Sequence, residues 1–301
     1  MNPAEPLHLR LPATSANLGP GFDALGLAMS LFLEIEASVS ADFHIEASGR
    51  SPELVARLED NLILETYRSL APAGPPLHLK IQNEIPLGMG CGSSAAALLA
   101  GVHLANRFGR LNLSPQEVLE EACVREGHPD NVAACFHGGL TVSSMQGREV
   151  TTATFGQNLA WRLLLALPPA SLATSEARAL LPGSYSRADA VENIQATALL
   201  VSAFALNRPE LLRQGTRDRL HQPYRSAACP LLPALLPLAG TDGIYSVTLS
   251  GAGPSVLLLA DPAASSAELI ASIRHTTGNP ELEVVETTIF APNAEQFNPA
   301  W

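Results

Sequence analysis

The stretch "EIPLGMGCGSSAAALLAG" (residues 84–101) sets three closely spaced glycines directly before a run of good helix formers. Gly88, Gly90 and Gly92 carry no Cβ atom that would keep a ligand away from the backbone. Their loop leads into two serines and a predicted helix, so several N–H groups and the positive end of the helix dipole converge on one point. The stretch therefore predicts an anion site, with phosphate as the favoured ligand.

This glycine-rich loop is not the common P-loop. The pattern GxxxxGK[ST] needs a lysine after its last glycine, and Lys80 is the only lysine of the chain. An anion must therefore be held by backbone N–H groups, a helix terminus, arginines or a metal ion. A flexible turn before a helix would also explain one such loop, because glycine-rich turns are common.

Composition predicts a two-domain chain in a reducing, cytoplasmic setting. Its 301 residues are 47% hydrophobic, enough for two cores, and we place the boundary between residues 1–155 and 156–301. The 4 cysteines lie far apart without a CxxC pair, which fits neither a disulfide framework nor a zinc site. We find no export signal and no apolar run of about eighteen residues, so no membrane partner is expected. The formal net charge of -11 disfavours nucleic acid as a partner.

Hydrophobic periodicity predicts strands and helices in both halves of the chain. Alternating apolar residues indicate strands, and apolar residues at three- and four-residue spacing indicate helices. In the first half the predicted strands are 7–11, 31–39, 77–85 and 138–145, and the predicted helices are 61–71, 93–109 and 114–127. In the second half the strands are 161–168, 243–250, 254–260 and 281–289, and the helices are 175–181, 187–206, 208–219, 230–238 and 265–277. This irregular order predicts an α+β fold in two layered domains.

Three further segments concentrate turn residues and polar side chains. "PATSANLGPGFDALG" (residues 12–26) suits a tight polar pocket wall or an ordinary turn. "SGAGPS" (residues 250–255) is a plain turn or a place where another backbone packs closely. "EGHPDNVAACFHGG" (residues 126–139) gathers carboxylates, an imidazole and an amide, which fit metal ligands, acid–base groups, substrate contacts or a helix end followed by a turn.

Taken in order, these segments resemble the signature segments of the homoserine kinases, a family of the GHMP small-molecule kinase superfamily. The resembling segments are "PATSANLGPGFD", "PLGMGCGSSAAA", "EGHPDNVA" and "SGAGPS", and they span residues 12 to 255. The glycine-rich loop and "SGAGPS" mark the superfamily, whereas "PATSANLGPGFD" with "GHPDN" points to homoserine. The resemblance implies ATP-dependent phosphorylation of the side-chain hydroxyl of L-homoserine to O-phospho-L-homoserine, in threonine biosynthesis.

The resemblance also implies a fold and a nucleotide site. The amino-terminal domain would be like domain 2 of ribosomal protein S5, and the carboxy-terminal domain would be ferredoxin-like. ATP would lie in the cleft between them, with its phosphates on the loop at residues 88–94. The implied ATP-binding residues are Asn61, Pro86, Leu87, Gly88, Met89, Gly90, Cys91, Gly92, Ser93, Ser94, Ala95 and Ala96.

Mg²⁺ is the implied metal ion. Ser94, or its neighbour Ser93, matches the hydroxyl that the family places on Mg²⁺. The family's metal-binding glutamate lies eight residues before the histidine of "GHPDN", which gives Glu120, although Glu126 is nearer in sequence and stays as the alternative. Ser94, Glu120 and Asn131 form the implied catalytic set.

The implied substrate pocket suits a zwitterion with a reactive hydroxyl. Arg178 and Arg225 can fork onto the carboxylate of homoserine, and Asp23 can pair with its ammonium group. His128 and two asparagine amides can orient the hydroxyl. The implied substrate-binding residues are Asn17, Asp23, His128, Thr174, Arg178 and Arg225.

Two positions bear on the chemistry of the site. Asn131 stands roughly where mevalonate kinases of the superfamily carry an aspartate, and an amide cannot take a proton. We therefore predict that no side chain acts as a strong general base, and that catalysis rests on alignment and on charge neutralisation. Cys91 replaces the leucine that is usual in the family, and a buried cysteine of similar hydrophobic character should leave the loop's shape unchanged.

Several alternatives stay open at this point. A kinase of another small alcohol, such as mevalonate or a threonine-like amino acid, would share the superfamily signature. A cysteine hydrolase would use Cys91 at a helix N-terminus with His128 and Asn131 as partners. A catalytically inactive nucleotide-binding regulator would share the fold. The resemblance further suggests a homodimer.

Overall fold

The computed structural model describes residues 5–241 and 243–292. The elements of the first half are β1 (Leu7–Asn17), β2 (Gly21–Val39), β3 (His44–Gly49), α1 (Pro52–Val55), α2 (Leu62–Leu70), β4 (Leu77–Asn83), α3 (Ser93–Phe108), α4 (Pro115–Glu126), α5 (Asp130–His137), β5 (Leu140–Gln146) and β6 (Glu149–Phe155). Those of the second half are β7 (Arg162–Leu167), α6 (Thr174–Ala179), α7 (Arg187–Leu206), α8 (Leu212–Gly215), α9 (Gln222–Arg225), α10 (Leu231–Leu235), β8 (Ile244–Leu249), β9 (Val256–Ala260), α11 (Ser266–Thr277) and β10 (Glu283–Thr288), with 3₁₀ turns at Pro209–Leu211 and Leu236–Leu238.

The long strand β2 organises the first sheet. It spans 19 residues and pairs antiparallel with β1, β4 and β5. The strand order is β3-β4-β2-β5-β6, and β3 runs parallel to β4. Strand β1 also pairs with β2 but lies outside this linear order. Along β4, Leu77, Leu79 and Ile81 are buried while Lys80 and Gln82 are exposed. This alternation buries one face of the sheet and leaves the other face in water.

Helix α3 fits closely against its neighbours because its residues are small. Ala95, Ala96 and Ala100 are fully buried. A Cβ atom on Gly101 would lie 2.5 Å from the Cβ of Thr66, so α2 packs directly onto the α3 backbone. Helices α4 and α5 and strand β1 also contact α3. The end of α3 that follows the glycine-rich loop is therefore held in a fixed position.

The second sheet has the strand order β10-β7-β9-β8, with antiparallel neighbours throughout. Its strands and the longer helices follow one another as β-α-β-β-α-β, so the fourth strand lies beside the first. This is the ferredoxin-like arrangement that was expected. Leu163 and Leu165 of β7 join the larger core, whereas Leu164 joins a second core with α10 and α11. Both faces of β7 are buried, which explains its uninterrupted apolar sequence.

After β10 the chain returns to the first sheet. Ile289 forms a bridge with Met29, and the N–H of Phe290 donates to the carbonyl of Ala28 at 3.0 Å. The strand that ends at Phe155 belongs to the first sheet, and the strand that begins at Arg162 belongs to the second. This change from one sheet to the other supports the domain boundary that we propose near residue 155.

The structure differs from the sequence predictions in the segments with many short polar residues. Most of 12–26 is a hairpin of β1 and β2 rather than a loop, because its serine, threonine and alanine residues pair across the sheet. Residues 44–49 and 149–155 form strands that periodicity missed. Residues 126–139 contain helix α5 as well as a turn. The helix predicted over 208–219 is a 3₁₀ turn followed by the short α8.

Candidate active site

Three loops meet at the amino-terminal end of α3. The Ser250 hydroxyl donates to the carbonyl of Gly90 at 2.7 Å, and the N–H of Gly251 donates to the carbonyl of Ala16 at 3.1 Å. A Cβ atom on Gly90 would lie 2.1 Å from the carbonyl oxygen of Ser250, so a side chain at this position would force the loops apart. The loop at 250–255 therefore holds both the glycine-rich loop and the β1–β2 hairpin.

The glycine-rich loop presents free N–H groups at the start of α3. Gly92 has a left-handed backbone with φ of 69°, and a Cβ atom there would lie 1.8 Å from the Thr14 hydroxyl. The first intrahelical bond runs from the N–H of Ala96 to the carbonyl of Gly92 at 3.0 Å. The N–H groups of the three residues between them have no acceptor within the helix. The loop thus has the geometry of an anion site.

Two cavities share this helix end. One has a volume of about 210 Å³ and a polar lining, and the other has a volume of about 330 Å³ and a mostly apolar lining that includes Leu54, Ile63 and Leu87. Ser93 and Ser94 line both cavities. The smaller cavity is lined by all the substrate-binding residues that the sequence predicts, namely Asn17, Asp23, His128, Thr174, Arg178 and Arg225.

The carboxylate at the shared helix end belongs to Glu126, the alternative to Glu120, and we propose Glu126 as the metal-binding residue. The Ser94 hydroxyl donates to Glu126 Oε2 at 2.8 Å, and Glu126 lines the smaller cavity. Glu120 lies further back on α4, where it accepts from Gln116 Nε2 at 2.8 Å and lines neither cavity. The physical reason is the direct entry from α4 through Gly127 into "HPDN", which brings the last residue of α4 to the cavity.

Burial raises the pKa of Glu126, and this predicts that replacing Glu126 with glutamine stabilises the fold. The hydrogen bond from Ser94 and the charge of His128 oppose the shift without cancelling it. A carboxyl group with a raised folded-state pKa stabilises the fold in its protonated form, and that contribution is lost as pH rises through the folded pKa. We expect metal-free Glu126→Gln to unfold at a higher Tm than wild type at pH 8, with the difference vanishing below about pH 4, where both states protonate the glutamate.

Thermal unfolding followed by circular dichroism at both pH values, in the presence of a chelator, tests this prediction. Glu120→Gln is the matched control, since Glu120 lies on the same helix and accepts a hydrogen bond from Gln116. A Tm for Glu126→Gln that is equal to or below the wild-type value at pH 8 would contradict the expected sign.

His128, Asp130 and Asn131 form a connected group at the start of α5. The His128 Nδ1 lies 2.5 Å from Asp130 Oδ1, which also accepts the N–H of Asn131 at 2.7 Å. Burial lowers the pKa of His128, but the hydrogen bond to Asp130 and the charges of Asp130, Glu126 and Asp23 outweigh burial and raise it. The Asn131 Oδ1 accepts from the Thr14 hydroxyl at 2.7 Å. The imidazole is therefore well placed to carry positive charge at the cavity.

Asp23 and Arg178, which both line the smaller cavity, form a bidentate ion pair. Arg178 Nη2 lies 2.7 Å from Asp23 Oδ1, and Arg178 Nη1 lies 3.0 Å from Asp23 Oδ2. The hydrogen bond to Asp23 is the main cause that raises the pKa of Arg178. Asp23 has a left-handed backbone with φ of 55°, and its N–H donates to Asn17 Oδ1 at 3.0 Å. The cavity thus already pairs the opposite charges that an amino acid would bring.

Arg225 is buried at the wall of the same cavity. Its side chain is 1% exposed, its Nε donates to the carbonyl of Ala177 at 3.1 Å, and its Nη1 faces His221 Nδ1 at 3.1 Å. His221 Nε2 donates to the carbonyl oxygen of Gly19 at 2.7 Å. Burial lowers the pKa of His221, so the neutral imidazole accepts from Arg225 while it donates to Gly19. This pair ties the "HQPYR" helix to the β1–β2 hairpin.

The remaining predicted residues divide into cavity-lining and supporting positions. Asn17 lines the smaller cavity, but its Nδ2 donates to the carbonyl of Gly251 at 2.9 Å, so its amide also holds two loops together. Asn61 lines the larger cavity and caps α2 through the N–H of Leu64. Gly88, Gly90, Cys91 and Gly92 line the smaller cavity, Leu87 lines the larger, and Pro86, Met89, Ala95 and Ala96 line neither.

The environment of Cys91 removes the cysteine hydrolase alternative. The side chain is 1% exposed, and burial raises the pKa of its thiol to about 12 despite hydrogen bonds to Ser255 and Ser250. The thiolate is the reactive form of cysteine. A thiol that stays protonated and buried at neutral pH cannot act as a nucleophile.

We expect Cys91 of the native protein to resist alkylation. Iodoacetamide at about pH 8 should leave it unmodified in the folded chain, because the reagent attacks the thiolate. Peptide mass spectrometry gives the extent of modification, and the denatured chain, in which all four free thiols become accessible, is the control. Rapid, selective labelling of Cys91 in the native protein would restore the hydrolase reading.

The structure adds residues that sequence reasoning did not assign. Thr14 contacts Asn131, Asp130 orients His128, and His221 contacts Arg225. Thr14 lies in the "PATSAN" segment and Asp130 in the "GHPDN" segment. Their roles depend on contacts that cannot be inferred from spacing along the chain. His221 precedes "QPYR" by one residue, and only the buried contact distinguishes it from an ordinary loop histidine.

Two family models of the GHMP kinases match this chain. The family model for the GHMP kinases N terminal domain matches residues 61–139, and the model for the GHMP kinases C terminal region matches residues 200–277. A homoserine kinase of Solibacter usitatus is 43% identical over 90% of this chain and 91% of its own length. One of Desulfitobacterium hafniense is 40% identical over 84% and 86%.

A solved structure of similar fold carries the same family name. The protein described as a homoserine kinase of Listeria monocytogenes superposes with a TM-score of 0.76 at 32% identity, over 94% of this chain and 95% of that one. The two-domain α+β fold and both domain types that the sequence predicted are confirmed. The fold and the two family models define a GHMP small-molecule kinase, and within that superfamily the chain belongs to the homoserine kinase family. Within residues 5–241 and 243–292, no helix is both long and apolar enough to span a bilayer.

Proposed function

We propose that the chain transfers the γ-phosphoryl group of ATP to the side-chain hydroxyl of L-homoserine and forms O-phospho-L-homoserine, in threonine biosynthesis. The observation that carries the proposal is the pair of cavities that share Ser93 and Ser94 at the start of α3. One cavity is mostly apolar and the other is charged. A phosphoryl group at the helix end between them would be in reach of both ligands.

The larger cavity supports the proposed binding of the nucleoside. Leu54, Ile63 and Leu87 give it apolar walls that suit a flat base, and Asn61 contributes a polar group. The phosphates would then lie on the N–H groups of the glycine-rich loop, where the dipole of α3 favours negative charge.

The pairing of Ser94 with Glu126 fits Mg²⁺. Both side chains offer oxygen atoms, which hard cations prefer, and these atoms lie 2.8 Å apart. Burial raises the pKa of Glu126, and a bound cation would remove that cost by favouring the ionised carboxylate. Mg²⁺ held there would neutralise charge on the transferring phosphoryl group.

The smaller cavity supports the proposed amino-acid substrate. Asp23 and Arg178 pair with each other at 2.7 Å, and a zwitterion would exchange this pair for two new ones, ammonium to Asp23 and carboxylate to Arg178. Arg225 approaches the same space, and both guanidinium groups lie within 6 Å of the Phe22 ring, at 5.4 and 5.6 Å. The exchange conserves charge, so the cost of breaking the resting pair is offset by the substrate.

The residues at the hydroxyl favour a mechanism without a strong base. Asn131 presents an amide, which cannot accept a proton, and Asp130 already accepts from His128 and from the N–H of Asn131. A raised pKa favours the charged form of His128, which can donate toward phosphate oxygens. A loose phosphoryl transition state needs little activation of the nucleophile, so alignment and charge neutralisation are sufficient.

His221 is expected to act as a positioning residue for the substrate carboxylate. His221→Ala removes the acceptor that orients Arg225, and we expect KM for homoserine to rise by about tenfold while kcat and KM for ATP change by less than about threefold. His221→Asn, which keeps an acceptor near the Nδ1 position, should recover most of the loss. Equal losses in kcat and in KM for both substrates would indicate general disruption of the fold instead.

A kinase of another small alcohol is the second candidate. Mevalonate carries a carboxylate but no ammonium group, so it would leave Asp23 without a partner once Arg178 had turned to the carboxylate. A threonine-like amino acid would satisfy both charges. The pairing of Asp23 therefore favours amino-acid alcohols over mevalonate. The homodimer and the cytoplasmic location stay predictions.

Release of ADP from ATP and Mg²⁺ tests the function. Parallel reactions contain L-homoserine, L-threonine, L-serine or mevalonate, and the phosphorylated product is identified by mass spectrometry. Strong turnover with homoserine alone is the expected result. Preference for another alcohol would overturn the substrate, and binding of ATP without turnover of any alcohol would support an inactive regulator.

A further inference from the structure

Two imidazoles and one carboxylate converge on the exposed face of the first sheet. His44 and Glu46 lie on β3, and His78 lies on the neighbouring strand β4. The parallel register pairs His44 directly with His78, and Glu46 follows two residues later on the same face. The intervening Ile45 is buried on the opposite face. Backbone pairing therefore holds the three side chains together.

The ligand atoms of these side chains have the spacing of a metal site. His78 Nε2 lies 3.1 Å and His44 Nε2 lies 3.8 Å from Glu46 Oε1. The three ligand atoms all lie within 4.8 Å of one another, and the two ring centroids are 5.1 Å apart. Ligands at about 2.0 to 2.2 Å from a common tetrahedral ion are separated by little more than 3 Å, so small side-chain rotations suffice.

An ordinary surface ion pair would be the simpler interpretation of these three side chains, but the neighbouring charges weigh against it. Lys80 is directly paired with Glu46 in the strand register, yet its ammonium group lies 3.2 Å from Glu36 instead. Glu46 therefore contacts the two imidazoles rather than the ammonium group of Lys80. Exposed pairs of this kind contribute little to stability, whereas two imidazoles and a carboxylate form a ligand set that zinc prefers.

We propose that His44, Glu46 and His78 bind one Zn²⁺ ion, with water as a fourth ligand. Strand β3 lies at the edge of the sheet, where it pairs with β4. The ion would cross-link these two strands through their side chains. It would protect the edge of the sheet and stabilise the fold by mass action. The ligand set differs from that of Ser94 and Glu126, which offers oxygen atoms alone and suits Mg²⁺. The proposal does not depend on the kinase function.

Isothermal titration of the untagged, metal-free full chain with Zn²⁺ tests the site in the absence of nucleotide. We expect a stoichiometry of one for the tight site and at least about tenfold weaker binding in His44→Ala, His78→Ala and Glu46→Gln. His8→Ala is the matched control, because His8 is also exposed on this face but lies on β1. Millimolar Mg²⁺ should not compete.

A second cluster of Asp23, His128 and Asp130 is the rival Zn²⁺ site, and His128→Ala distinguishes it. Zn²⁺ should raise the Tm of wild type, His8→Ala and His128→Ala, and should leave that of the His44→Ala/His78→Ala double variant unchanged. Circular dichroism in a chelator establishes that each variant folds. Tight binding that survives in the double variant, or that is lost only in His128→Ala, would overturn the proposal.

Discussion

Glu126→Gln is expected to lower kcat by about 10²- to 10³-fold, whereas Glu120→Gln should change it by less than about twofold. Glu126 Oε2 accepts a hydrogen bond from the Ser94 hydroxyl at 2.8 Å, beside the N–H groups of the glycine-rich loop. Glutamine keeps the size of the side chain and a hydrogen-bond acceptor but removes the negative charge that would hold Mg²⁺. Glu120 bonds to Gln116 on its own helix and lines neither cavity.

Steady-state kinetics over a range of Mg²⁺ concentrations measure this effect. The half-saturating Mg²⁺ concentration should rise in Glu126→Gln and stay unchanged in Glu120→Gln. The two variants share one helix and one type of substitution, so general damage to α4 would affect both. Inactivation by Glu120→Gln with a fully active Glu126→Gln would return the metal site to Glu120 and contradict the geometry described above.

Arg225→Met is expected to lower kcat/KM for homoserine by about 10²- to 10³-fold, with KM for ATP changed by less than about threefold. The guanidinium is 1% exposed and is already held by the carbonyl of Ala177 and by His221. A carboxylate bound by Arg225 would therefore not incur the entropy cost of ordering a flexible side chain. Arg225→Lys should recover only part of the loss, because an ammonium group cannot reproduce the fork.

Kinetics with each substrate varied in turn separate this effect from a loss of nucleotide binding. Arg208→Met is the control, because Arg208 forms an exposed ion pair with Glu210 on the surface. Buried Arg225 also contributes to packing, so circular dichroism and Tm must accompany the rates. Folded Arg225→Met with an unchanged kcat/KM for homoserine would remove Arg225 from the substrate site.

The agreement between sequence and structure was best where the chemistry is local. The helices predicted over 114–127 and 93–109 match α4 and α3 closely, because local apolar spacing and end residues specify them. Prediction failed for β3 and β6, because short strands with polar residues take their stability from neighbours rather than from their own periodicity.

Motifs and residue types alone indicated the class of the protein, the glycine-rich loop before α3 and the charged groups around it. Gly90 and Gly92 have left-handed backbones, with φ of 73° and 69°, which favour glycine for a local reason. Only the tertiary structure decided that Glu126 rather than Glu120 faces Ser94, and that His221 supports Arg225. Ser94 and Glu126 are 32 positions apart, so spacing along the chain does not encode their contact. His221 and Arg225 are only four residues apart, and what the sequence does not show is that both are buried against each other.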